Sequence, residues 1–294
     1  IVSNPSSLPL YLFFCQCLCL SVSLSLYLFV SCPRSRSGAS WMRWLQSWTA
    51  TAIWSQGKTV VPLNYLLTKD DIDYIIKDSG VDTVVTVNAM VEMIGGLPEG
   101  VNAIKLDEMS FGGVPPIRRS VKSNDEMLAA LLYTSGTSGK PKGVMLTAGN
   151  ISSNVEQCKK WVRFTKDDVF LGLLPQFHSF GFTATTLIPS AIGAKVVYSA
   201  MFNPRKVLTL MQDHAPTVML AIPSMFNAIL NTKSAQPSHF DSVRIALSGG
   251  EALPDAVYEG FKDKLGMTIS VSYTHLRAHE TREDRVWRLV LEKK

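Results

Sequence analysis

The chain has 294 residues, 46% of them hydrophobic and 18% charged, with a formal net charge of +5. That length fits one large domain or two small ones. The positive excess sits at the ends, since residues 1–56 hold Arg34, Arg36 and Arg43 and no acid, and residues 274–294 hold more cations than anions; the near-neutral middle has no basic run and no basic–aromatic interleaving, so no nucleic-acid partner is expected.

Leu8 to Val30 is apolar apart from Gln16 and interspersed serines. By length it would span a bilayer or serve as a long signal core. It is low in complexity and lacks a charged leading region, and the first residue is Ile rather than Met. Together with the tryptophan-rich run Trp41–Trp48, it leads us to expect residues 1–49 to be non-native or disordered. The alternative is an apolar helix over 8–30 anchoring a non-catalytic protein to a membrane. Cys15, Cys17, Cys19 and Cys32 lie in this segment, leaving Cys158 alone in the middle. The middle therefore has no disulfide frame and reads as a reduced, cytoplasmic domain. The Cys-x-Cys-x-Cys spacing, without a nearby His, is poor for zinc.

Gly57 caps a short helix, and Thr59–Pro62 is a short buried strand. Thr68 is a helix N-cap with acids in the first turn. Ile72, Ile75 and Ile76 form the buried face of that helix, which ends at Ser79-Gly80. Val81–Val87 is β-branched and strand-like. The β-α-β order predicts a parallel α/β sheet. Residues 95–125, with Gly95-Gly96, Gly112-Gly113 and Pro115-Pro116, read as a loop-rich passage.

Met127–Leu132 is an apolar run of strand length, and Tyr133-Thr-Ser-Gly-Thr-Ser-Gly-Lys-Pro-Lys-Gly-Val144 follows it. Turn-like Thr147–Asn150 leads to a helical pattern from Ile151. By composition the loop is either a flexible surface loop or an anion cradle. In a cradle, glycines let the backbone approach a ligand, the hydroxyls of Thr134, Ser135, Thr137 and Ser138 donate bonds, and Lys140 and Lys142 add charge. A Walker-type P-loop is excluded, because Gly136 reaches Gly139-Lys140 after only two residues and Pro141 follows.

The twelve residues resemble, at nearly every position, the phosphate-binding signature of the adenylate-forming (AMP-binding) superfamily, which includes acyl-CoA synthetases, adenylation domains and luciferases. Thr51–Asn64 looks like that family's helix-to-strand step ahead of the loop. The resemblance implies an α/β fold over residues 50–270: a partial N-terminal domain with a mostly parallel sheet and flanking helices, its C-terminal domain missing. It also implies that Thr134, Ser135, Gly136, Thr137, Ser138, Gly139 and Lys142 hold the phosphates of ATP.

Beyond the loop, helix and strand patterns alternate. Helix 151–162 leads to strand 169–174, and helix 183–191 leads to strand 194–198. Asn203-Pro204 opens a helix, then come strand 217–223, helix 224–230, strand 242–249, helix 254–265 and a strand from Met267. Pro175-Gln-Phe-His-Ser-Phe-Gly181 lies after the first of these strands. From residues alone His178 is a packed histidine. By resemblance it lies beside the acyl carboxylate, with Phe177 walling the pocket. Ser248-Gly-Gly-Glu251 is a strand-end turn that, by resemblance, surrounds the adenine. Ligands in open α/β sheets sit at the carboxyl ends of strands, so both readings of the turn hold together.

The family's next element, Tyr-Gly-x-Thr-Glu, is matched only at Tyr273, so residues 271–294 are expected to be a non-native tail. The resemblance implies a ligase that joins a carboxylic acid, expected to be a fatty acid, to coenzyme A through an acyl-adenylate, using ATP and Mg2+. His178 is the candidate catalytic residue, and no metal ligand is assigned. This chain itself is expected to be an inactive fragment. An amino-acid or aryl-acid adenylation domain is the rival.

Overall fold

The computed structural model describes residues 26–29, 47, 49–109, 121–122, 124–134, 139–199, 201–273 and 288–289. The chain forms two compact units, residues 1–153 with 277–279 and residues 154–276 with 280–294.

The first unit is built on a sheet of order β4-β3-β1-β2-β5-β6. Its strands are β1 Leu26–Phe29, β2 Thr59–Pro62, β3 Thr83–Thr86, β4 Asn102–Lys105, β5 Leu128–Thr134 and β6 Lys142–Thr147. All pairings are parallel except β5 with β6, which is antiparallel. β1 corrects the apolar-helix alternative where the two overlap. Residues 26–29 are a strand between β2 and β3, where ladder bonds on both sides satisfy the backbone and aromatic residue types suit a pleat. The rest of 8–30 lies outside the described residues. β4 falls inside the passage read as loop. It is a short edge strand, partly exposed and half polar, so it lacks the alternation that marks a strand in sequence.

The helix Lys69–Ser79 follows its local chemistry. Thr68 accepts from Asp71 N–H, Gly80 closes the helix at φ 66°, and Ile72, Ile75 and Ile76 are buried. The helix Ala148–Val162 starts three residues before the expected Ile151. The turn-like residues form its capping box: Thr147 N–H donates to Asn150 Oδ1 at 3.1 Å, and Asn150 N–H donates back to Thr147 Oγ1 at 3.2 Å.

The second unit carries a sheet of order β12-β11-β10-β9-β7-β8. Its strands are β7 Val169–Gly172, β8 Lys195–Tyr198, β9 Val218–Ala221, β10 Ile245–Gly249, β11 Ser270–Tyr273 and β12 Arg288–Leu289. Only β12 runs antiparallel. β11 runs across the boundary expected at residue 270. After β8 the chain steps over β7 to β9 and continues outward, so the order reverses between β7 and β9. In open α/β sheets such a switch point opens a crevice at the carboxyl ends of the strands. One core of this unit centres on Phe226, Phe240 and Phe261, whose rings meet edge to face at 5.2 and 5.8 Å. The other is built on Phe170, Phe180, Ile188 and Leu220. Among the described residues no helix is long and apolar enough to cross a membrane.

Asp168 fixes the opposite, amino edge of this sheet. It is 2% exposed. Its Oδ1 accepts from Thr217 Oγ1 at 2.6 Å and Arg244 Nε at 2.7 Å. Its Oδ2 accepts from Thr165 N–H at 2.7 Å and from Arg244 Nη2. Burial alone would raise the carboxyl pKa, but these bonds and the guanidinium charge outweigh it and hold Asp168 at about 2. Because the folded pKa lies below the unfolded 3.8, the stabilisation is complete above that value and is lost as pH falls towards 2. Replacing Arg244 by Met should cost roughly 3 kcal/mol, since it strands a buried carboxylate. Acid unfolding followed by circular dichroism should then begin at a higher pH than in the parent chain.

Candidate functional site

The glycine-rich motif occupies the tip of the β5–β6 hairpin. Cross-strand pairing places Thr134 opposite Lys142 and Tyr133 opposite Gly143, so these pairs form the mouth of the loop. The loop thus returns first as a strand, and the helix begins only at Ala148. Gly139 has φ 89° and is exposed, as are Lys140 and Lys142, while Pro141 is buried. The sequence therefore sets one lysine on either side of Pro141 on the returning limb. Ser135, Gly136, Thr137 and Ser138 lie outside the described residues.

His178 and Ser248–Glu251 belong to the second unit, at the carboxyl edge of its sheet. His178 lies on the connection after β7, and the Ser248–Glu251 turn ends β10 and follows it. With one strand, β9, between them, they leave the sheet about 10 Å apart.

The connection after β7 is tightly held. His178 precedes the first turn of the helix Ser179–Phe182 and makes no side-chain cap bond. That helix continues through a π turn, Thr183–Leu187, into Ile188–Ile192. Gly181 is required there, because a Cβ would lie 2.0 Å from the Pro175 carbonyl oxygen. Gln176, 3% exposed, donates from Nε2 to Thr186 Oγ1 at 2.6 Å and to Tyr198 Oη at 3.3 Å. Tyr198 in turn donates to the Thr185 carbonyl, which lies in the π turn. The apolar side of the connection is equally fixed, with Phe177 buried and its ring centroid 4.7 Å from that of His178. The His178 ring reaches the surface, yet the protein packed around it disfavours the cation and lowers its pKa.

On the β10 side, Ser248 is fully buried and its Oγ has no hydrogen-bond partner among the described residues. Gly249 is buried, Gly250 turns the chain with φ 87°, and Glu251 is exposed. An orphaned buried hydroxyl costs about 1–3 kcal/mol unless something else meets it.

Among the described residues no group of three or more His, Cys, Asp or Glu is placed to hold a metal ion. The sequence reading missed Gln176 and Tyr198. The one available signal was Pro175 and Gly181 bracketing an aromatic-rich turn, which marks a close backbone approach without naming the partners.

The model of the family described as AMP-binding enzyme matches residues 39–274. A long-chain-fatty-acid–CoA ligase of Bacillus subtilis (strain 168) is 34% identical over 148 residues, covering 50% of this chain and 26% of that protein. A feruloyl-CoA synthase of Amycolatopsis sp is 27% identical over 217 residues, covering 74% of this chain and 44% of that protein. ATP-bound MatB from Rhodopseudomonas palustris matches with a TM-score of 0.75 at 22% identity, covering 96% of this chain and 57% of that one. At that identity the match speaks for the fold. The chain spans less than half the length of these two curated relatives.

Gly181→Ala should destabilise the chain by roughly 1–3 kcal/mol, because the new methyl meets backbone that cannot rotate away. Thermal unfolding will measure it. Ser248→Ala should instead leave the melting temperature unchanged or raise it, since it removes a buried polar atom that no described residue satisfies.

Proposed function

The chain belongs to the AMP-binding enzyme family, and from that premise we propose that the enzyme carrying it activates a carboxylic acid, a fatty acid in the first instance, with ATP and transfers it to coenzyme A. A carboxylate oxygen attacks the α-phosphorus, the bond to the bridging oxygen breaks, and pyrophosphate leaves. The thiol sulfur of coenzyme A then attacks the acyl carbon of the adenylate and AMP leaves. The observation that carries this reading is the twelve-residue motif at the hairpin tip, with Thr134 and Lys142 paired at its mouth.

In this reading Thr134, Ser135, Gly136, Thr137, Ser138, Gly139 and Lys142 hold the β- and γ-phosphates. Backbone amides, hydroxyls and the ammonium group meet charge that grows as pyrophosphate departs. His178, its pKa lowered, is neutral near pH 7. It orients the acyl carboxylate by donating one N–H and is not a standing cation. Ser248–Glu251 flank the base with their backbone groups, while the Ser248 side chain stays buried beneath the turn. Magnesium would be held by the nucleotide's own phosphate oxygens and would help the loop's lysine neutralise the charge on the departing pyrophosphate.

An aryl acid is the second reading. The feruloyl-CoA synthase matches over 74% of this chain, against 50% for the fatty-acid ligase. Acid-dependent ATP–pyrophosphate exchange by the full enzyme that carries this chain, measured with a medium-chain fatty acid, a long-chain fatty acid and ferulate, separates the two. We expect the fatty acids to drive exchange best; exchange with ferulate alone would select the aryl reading, and exchange with no acid would end both. Lys142→Ala should raise the KM for ATP about tenfold, consistent with losing one charge-assisted hydrogen bond. His178→Ala should lower kcat/KM for the acid roughly 10–100-fold while leaving ATP binding intact.

A further inference from the structure

The two limbs of the hairpin loop are joined through a helix that lies outside the motif. Tyr133, on the outgoing limb, donates its hydroxyl to Asp78 Oδ2 at 2.6 Å. Asp78 Oδ1 also accepts from Tyr74 Oη, one turn earlier in the helix, at 3.3 Å. Lys140, on the returning limb, holds its Nζ 5.1 Å from the centroid of the Tyr74 ring. The contacts therefore run from Tyr133 through Asp78 and Tyr74 to Lys140 and bridge the mouth of the loop from outside. The four-residue spacing of Tyr74 and Asp78 puts them on one helix face.

Gly143 makes this arrangement possible. It pairs with Tyr133 across the hairpin. A Cβ at Gly143 would lie 3.1 Å from Tyr133 Cζ and 3.0 Å from Leu131 Cδ1. A side chain there would push the phenol away from Asp78. Burial, then the bond to Asp78 and its charge, raises the Tyr133 pKa, so the phenol remains a donor wherever Asp78 is ionised.

We propose that Tyr133, Asp78 and Tyr74 are positioning residues for the phosphate loop. They fix the limb from which the loop leaves and hold Lys140 over the Tyr74 ring. Lys142, facing Thr134, is then the lysine that meets the phosphates. The proposal rests on the reading of the loop as a phosphate site.

Calorimetric titration of this chain with ATP and with AMP tests it, because AMP lacks the β- and γ-phosphates. Tyr133→Phe and Asp78→Ala should each weaken ATP binding about 5–10-fold, the scale of one ordinary hydrogen bond, and leave AMP binding unchanged. Asp78→Asn, which still accepts a hydrogen bond, should recover most of that loss. Equal weakening for both nucleotides overturns the proposal, as does a lowered melting temperature with ATP affinity intact. A parent chain that binds ATP no better than AMP would instead remove the loop assignment, and the positioning role with it.

Discussion

The carboxylate of Asp168 is the constraint on which the second unit turns. A charge at 2% exposure is tolerable only when its oxygens are fully engaged. Here they are met by Arg244, Thr217 and Thr165. Those partners lie at the amino ends of β9 and β10 and just ahead of β7, so one side chain sets the relative stagger of three parallel strands. A one-residue slip would send every side chain of a strand to the other face. Fixing the amino ends therefore also fixes where the strands stop at the far edge, from which the His178 connection and the Ser248–Glu251 turn depart.

What was legible in the sequence was what short-range chemistry decides. Thr68 and Gly80 bound a helix because cap and αL turn are contained within a few residues, and Asn203 accepts from Lys206 N–H for the same reason. The strand and helix alternation after residue 150 was equally plain, because buried parallel strands are short apolar runs. Partnerships across the chain were not legible. Arg244 finds Asp168 76 residues away, and Tyr133 finds Asp78 55 residues away. Neither pair has a pattern that local spacing could reveal. β4 escaped because an edge strand needs no apolar face. β1 escaped because a run of apolar residues fits helix and strand alike.

The motif itself was legible as a glycine-rich loop between two structured segments, but its setting was not. Read along the chain, a strand, a loop and a later helix suggest the turn of an α/β unit. The structure instead folds the motif back on itself as an antiparallel pair, so the loop springs from two adjacent strand ends. The helix dipole is displaced by the length of β6. The charge available to an anion at this tip is thus that of side chains and loop amides, with the helix terminus too far along the chain to take part.

The π turn at Thr183–Leu187 has a mechanical meaning of its own. A π turn accommodates one residue more than an α turn, and here the surplus residue leaves a carbonyl, that of Thr185, turned toward Tyr198. Excising a single residue from this stretch would let the helix rewind to regular pitch. The helix beyond it would keep its facing, because the wider turn already absorbs the extra step, but the Thr185 carbonyl would turn back into the helix ladder and the anchor to the β8 tyrosine would be lost. The surplus residue therefore serves the bond to Tyr198 and not the facing of the helix.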